Sequence, residues 1–255
     1  MTPITTSTPP LASLRAVTKT VVTGLRRRRV TILKGVDLTV GRGDVVGLVG
    51  PNGAGKTTTV KVLLGLMRPT TGEVDLAVEG LGDVGYLPEN PYFYDYLSGR
   101  EFLAFCGRLF GMGGRAAEER ATELLADVGL TDAAGVHLRK YSKGMLQRIG
   151  IAQALVNDPQ LVLLDEPMTG LDPIGRLEVK GIIQRLHDQG RTVLFNSHIL
   201  ADVEELCTGI AVMKAGRIVW AGTVERALAE SPDGLEPFFM RVVGGDGASA
   251  PEATP

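Results

Sequence analysis

At 255 residues the chain can form one large domain or two small ones, with a core that needs no metal or disulfide staple. Its 44% hydrophobic and 22% charged residues exclude wholesale disorder, and 27 basic against 29 acidic residues (net −2) give no electrostatic reason to expect a nucleic-acid partner. Cys106 and Cys207 build neither a disulfide framework nor a metal site, which fits a reducing compartment. The opening MTPITTSTPP lacks the features of a secretion signal, and no apolar run approaches the roughly 18–20 residues that span a bilayer. Glycine is the outlier, 33 of 255 residues, and much of it lies in short clusters of the kind that line backbone-built sites.

Residues 1–10 and 243–255 are rich in Pro, Gly, Ser and Thr and are expected to be disordered ends. Val36–Val40 and Val45–Val49 have the short, β-branched, glycine-punctuated texture of strands. A helix is expected over Thr57–Leu66, ended near Arg68-Pro69. Apolar residues then recur at helical spacing (Phe102, Phe105, Leu109; Leu124, Leu125, Val128), which predicts a helical insert over about residues 90–155. Leu161–Leu164 and Thr192–Phe195 are continuous apolar runs suited to a parallel sheet buried on both faces. Between them, Asp172-Pro173 is an N-cap followed by proline at the first helical position, opening a helix that carries Ile174, Leu177, Ile182 and Leu186. Ile210–Met213 and Arg217–Trp220 flank Lys214-Ala215-Gly216 as a hairpin.

The strongest chemical signal is Gly50-Pro51-Asn52-Gly53-Ala54-Gly55-Lys56-Thr57, followed by Thr58, between a predicted strand and a predicted helix. Its glycines allow the backbone close to phosphates, and several N–H groups at a helix start then face the anion. Lys56 supplies a charge for the β- and γ-phosphates, and the Thr57 hydroxyl is a hard ligand for Mg²⁺. The second signal is Leu161–Leu164 followed by Asp165-Glu166-Pro167. These two carboxylates sit at the carboxyl end of a buried strand, where open α/β sheets bind ligands. Asp165 is suited to hold Mg²⁺ through water, and Glu166 to orient or deprotonate an attacking water.

Together these motifs resemble the ATP-binding cassette (ABC) ATPases, and the resemblance covers about residues 11–242. It implies a P-loop NTPase fold with a RecA-like α/β core, N-terminal antiparallel β strands and the helical subdomain inserted at about 90–155. Tyr141-Ser142-Lys143-Gly144-Met145 resembles the family's signature LSGGQ at Ser142 and Gly144, with Lys143 in place of a glycine. The resemblance implies that these two residues close over the γ-phosphate of an ATP held by a second subunit, in a homodimer. Gly170-Leu171-Asp172 resembles the D-loop, and His198 in Asn196-Ser197-His198 the switch histidine that contacts the γ-phosphate; His137 and His187 lack such context and read as surface residues. Glu89 in Tyr86-Leu87-Pro88-Glu89 stands where the family has the Q-loop glutamine and is a third candidate for Mg²⁺.

Three further features have a place in the resemblance. Val21 aligns with the aromatic that usually stacks on adenine, and Gly72–Glu89 is shorter than the family norm. The Pro91–Tyr96 loop puts Tyr92, Phe93, Tyr94 and Tyr96 beside the segment that contacts the membrane partner in the family, with internal packing of the helical subdomain as the alternative. Arg26–Arg29 reads as a solvated hairpin tip, with lipid headgroups as the sharper alternative.

The implied function is ATP hydrolysis by a subunit on the cytoplasmic face of the membrane, driving integral membrane permease subunits. Lys56, Glu166 and His198 would be catalytic, and ATP and Mg²⁺ required. Leu146-Gln147-Arg148 and Leu235-Glu236-Pro237-Phe238-Phe239 favour the exporter type. An importer subunit, or a soluble cassette ATPase acting on ribosomes or DNA, is the competing class.

Overall fold

The computed structural model describes residues 10–24 and 27–245, so the expectations for residues 1–9 and 246–255, and Arg26 of the basic run, lie outside the described residues. A three-stranded antiparallel sheet, order β2-β1-β4, is formed by β1 (Pro10–Thr23), β2 (Arg28–Gly41) and β4 (Thr71–Leu76). A six-stranded sheet, order β5-β6-β7-β3-β8-β9, is built from β3 (Val45–Val49), β5 (Val84–Leu87), β6 (Leu161–Asp165), β7 (Thr192–Ser197), β8 (Gly209–Lys214) and β9 (Arg217–Thr223). All its pairings are parallel except β8–β9, the predicted hairpin. That hairpin turns through Ala215 (φ 48°) and Gly216 (φ 84°), the two left-handed residues a tight type I′ connection needs.

Strands β3, β6 and β7 are buried along their whole length, and alternation divides their side chains between two cores. Leu161, Leu163 and Leu194 join the antiparallel sheet and helix α1 (Lys56–Leu63) on one face. Val162, Leu164, Val193 and Phe195 meet the remaining helices on the other. Asp165 and Asn196 continue the first series, so their side chains point to the face that carries α1. The same alternation puts Val84 and Tyr86 of β5 there.

Helices α2 (Gly99–Leu109), α3 (Gly114–Asp127) and α4 (Lys143–Ala154) all lie between β5 and β6 in the chain. The start of α2 is fixed by a reciprocal capping box: Ser98 Oγ accepts from the Glu101 amide and Glu101 Oε2 from the Ser98 amide. The capping bonds hold the Glu101 carboxyl below its usual range. After β6 come α5 (Pro173–Asp188), α6 (Leu200–Leu206), α7 (Val224–Glu230) and α8 (Leu235–Gly244).

The structure differs from the sequence reading, or adds to it, at three places. Helix α1 ends at Leu63, not Leu66, because Gly65 turns left-handed (φ 72°) and closes a C-terminal turn. Helix α5 starts at Asp172-Pro173 as predicted, but its buried stripe is Val179, Ile182, Ile183 and Leu186, whereas Ile174 and Leu177 are 69% and 65% exposed. At 100° per residue those two lie on the opposite side of the helix from the stripe. Strand β2 extends eight residues before the predicted Val36, since β1 pairs with it along its full length.

Candidate functional site

Strand β3 delivers the chain to a loop held open by backbone contacts. A Cβ on Gly50 would lie 2.2 Å from the Met213 carbonyl oxygen, so only glycine lets this strand end sit against β8. Gly53 and Gly55 take φ of 78° and 110°, and the Ala54 carbonyl accepts from the Gly216 amide at 2.9 Å, tying the loop to the β8–β9 hairpin. Gly55 is the N-cap of α1 and offers no side-chain cap, so the first amides of the helix are left for an anion. Lys56, the first helical residue, is buried, and its Nζ donates to the Gly50 carbonyl at 2.8 Å. A cavity of about 360 Å³ opens here, lined by Asn52 to Thr58, Glu89 and Glu166.

At the end of β6, Glu166 lines this cavity and Asp165 lies behind it, bonded to Thr57. Asp165 is 1% exposed; its Oδ1 accepts from Thr57 Oγ at 3.1 Å and from Asn196 Nδ2 at 2.6 Å. Both donors are neutral, and the hard oxygens of Asp165, Thr57 and Glu89 are the donor set a divalent cation takes. Among the described residues no three His, Cys, Asp or Glu side chains converge as a protein-only metal site, so a cation here would need phosphate and water oxygens to fill its shell. The structure thus fits Mg²⁺ arriving with a nucleotide.

Glu166 leaves the strand with φ 54°, a left-handed geometry that costs a non-glycine residue roughly 1–3 kcal/mol and is retained where the surroundings enforce it. Its amide donates to the Asn196 carbonyl at 3.2 Å. The turn aims its carboxylate back at the loop. Oε1 lies 3.9 Å from Lys56 Nζ, and Oε2 accepts from Thr169 Oγ at 2.9 Å and sits 2.7 Å from His198 Nδ1. The histidine side chain is half exposed, while Glu166 is 11% exposed. Thr169 is the functional residue the sequence reading missed. Its signal is local: it follows the carboxylate by three residues in a turn whose amide donates back to the Glu166 carbonyl.

Ser142 and Gly144 are not brought to the phosphate loop of their own chain. Ser142 caps α4, its Oγ accepting from the Met145 amide at 3.2 Å. The two residues line a second cavity of about 350 Å³ with Gly170, Leu171, Asp172 and Gly175, and no residue is shared with the first. Lys143 lies across Gly170, where a Cβ would fall 2.1 Å from its Nζ. In the aromatic segment, Phe93 is buried edge-on against Phe102 and Tyr94 packs on Phe105, while Tyr92 and Tyr96 are 89% and 69% exposed. Val21 pairs with Val30 at the far end of β1, and Arg28 and Arg29 are exposed on β2. His137 is exposed and His187 half-buried.

This arrangement can hold a nucleotide's phosphates on backbone amides, with a cation beside them and a braced carboxylate at the terminal phosphate. The ABC transporter family model matches residues 33–169. An uncharacterized ABC transporter ATP-binding protein of Nostoc sp. is 48% identical over 233 residues, 88% of this chain and 70% of that protein. The daunorubicin resistance ATP-binding protein DrrA3 of Streptomyces coeruleorubidus is 38% identical, with 85% of this chain and 71% of that one covered. The dimeric structure of an ATP-binding cassette in a post-hydrolysis state, bound to ADP and Pi, superposes with a TM-score of 0.73 at 27% identity, covering 83% of this chain and 98% of that one. The chain spans 59% to 70% of the length of several such curated relatives. By its family match and these relatives, the chain belongs to the ABC transporter family and carries its ATP-binding ATPase cassette.

Proposed function

We propose that this chain is the ATP-hydrolysing subunit of an exporter, acting as a head-to-tail homodimer that drives separate membrane-spanning subunits from the cytoplasmic face. The observation that carries the proposal is the bracing of Glu166 by Lys56, Thr169 and His198 above the Thr57–Asp165 pair. ATP phosphates enter the cavity of the phosphate loop, and Lys56 exchanges the Gly50 carbonyl for a phosphate oxygen. Glu166 orients the attacking water and accepts its proton, and His198 both holds Glu166 and contacts the γ-phosphate. Thr57 and Asp165, with Glu89 beside the loop, would hold Mg²⁺, which would neutralise charge on the transferring phosphoryl group. Catalysis is positioning and electrostatics rather than covalent chemistry.

The separate signature cavity supports the dimer, since Ser142 and Gly144 meet a phosphate only on a second copy. A dimeric neighbour and relatives named for daunorubicin resistance and fluoroquinolone export support the transport reading. No described helix is long and apolar enough to cross a membrane; in this reading the exposed Tyr92 and Tyr96 contact a spanning partner. The test is affinity capture of tagged Glu166→Gln from detergent-solubilised native membranes with ATP, followed by mass spectrometry. A stoichiometric polytopic protein is expected; ribosomes, nucleic acid or no partner would overturn the proposal.

A further inference from the structure

The Tyr86 hydroxyl is buried and makes no hydrogen bond. A buried hydroxyl without a partner costs about 1–3 kcal/mol relative to the same ring without it, and such a group marks a water or ion that completes the site. Its place in the sheet indicates which. Tyr86 is paired with Leu163, two residues short of Asp165 on the neighbouring strand. With about 4.8 Å between strands, that places Asp165 diagonally from Tyr86 at about 8 Å, a separation an aromatic side chain can bridge. Asp165 is level with Asn196 on the next strand, and all three side chains lie on the face that carries α1. Burial, and after it the nearby Asp165 charge, pushes the Tyr86 pKa up to about 12. On the other side of Asp165, Asn196 Oδ1 is a second buried polar atom with no partner, because the amide nitrogen is committed to the carboxylate. The Tyr86 hydroxyl is thus an unpaired donor on the β5 side of the Asp165 carboxylate, whose β7 side is held by Asn196, and a water between hydroxyl and carboxylate would give the donor its partner.

We infer that Tyr86 is a positioning residue of the cation site, its hydroxyl donating to a water that bridges to the Asp165 carboxylate and orients it toward the nucleotide's divalent cation. Tyr86 touches neither substrate nor cation and acts through Asp165. The inference rests on the proposed role of Asp165 and Thr57 at that cation.

The test compares the full chain with its Tyr86→Phe variant, which removes one oxygen and no packing volume. Mn²⁺ binding in the presence of a non-hydrolysable ATP analogue, read by electron paramagnetic resonance, is expected to weaken roughly three- to tenfold, the range for one water-mediated bond. Binding of the analogue in EDTA should be unchanged. The thermal midpoint of the variant without nucleotide should change little, since only one water-mediated bond is lost and the ring packing is kept. Unchanged Mn²⁺ affinity would overturn the inference, and so would an equal loss of analogue binding in EDTA, which would mark a packing role. If the parent chain binds no Mn²⁺ with the analogue, the cation role of Asp165 falls and the inference with it, a result read before the variant is made.

Discussion

Replacing Gly50 with alanine isolates what the phosphate loop needs from its first glycine. The new methyl would sit 2.2 Å from the Met213 carbonyl oxygen and 3.3 Å from the Ala54 methyl. Neither the end of β8 nor the start of the loop can give the missing distance by turning a side chain, since the obstacle is backbone. Overpacking of this kind costs about 1–3 kcal/mol and more where nothing can yield, so the upper end, about 3 kcal/mol, is expected. At about 2–4 °C per kcal/mol for a chain of this size, the midpoint should drop by about 6–12 °C. Gly53→Ala is the matched control: it is left-handed (φ 78°) but has nothing within 4 Å, so it bears only the left-handed cost of about 1–2 kcal/mol. Function should separate the two further. Displacing Gly50 moves the start of the loop whose backbone amides and Lys56 face the phosphates, so ATP binding should weaken at least about tenfold, the equivalent of 1.4 kcal/mol. Thermal denaturation followed by circular dichroism, with ATP affinity measured by titration calorimetry, reads both effects. A Gly50→Ala midpoint equal to or above that of Gly53→Ala would refute the reasoning.

Other expectations follow from the same geometry. Glu166→Gln keeps the shape but removes the proton acceptor, so kcat should fall about 10²- to 10⁴-fold with ATP affinity retained; near-normal turnover would sink the assignment. Thr169→Val removes one of the two neighbours braced on Glu166 Oε2; kcat should fall roughly threefold to tenfold with KM little changed, the value of one hydrogen bond. Burial pushes the Cys106 thiol up to about 11. The folded chain therefore holds that proton well above the ordinary thiol range, leaving about 0.1% thiolate at pH 8. Iodoacetamide should label it only after unfolding, and prompt labelling of the native protein would contradict the packing of α2.

The parts of the site that were legible in the sequence are those carried by contiguous residues at strand ends. Gly50–Thr57 follows β3, Asp165-Glu166 ends β6 and His198 follows β7, and each apolar run announced its strand. Glu166 with His198 and Lys56 came together because three parallel strands deliver their carboxyl ends to one edge. Thr169, Tyr86 and Asn196 were not assigned roles, because what singles them out is a partner, or the absence of one, across the fold rather than along the chain. The helix carrying Ile174, Leu177, Ile182 and Leu186 was legible, but apolar residues at helical spacing do not say which stripe is buried, and Val179 and Ile183 decided that. The shortened α1 was foreshadowed by Gly65, whose left-handed conformation stops a helix.

The central claim is that ATP binds between two copies of this chain, the phosphate loop of one facing Ser142 and Gly144 of the other. Light scattering of Glu166→Gln with saturating ATP and Mg²⁺ tests it most directly. The predicted result is twice the monomer mass with ATP, and monomer with ADP or when Gly144→Asp is added to block the signature helix. A chain that stays monomeric with ATP bound, or a dimer that survives Gly144→Asp, would contradict it.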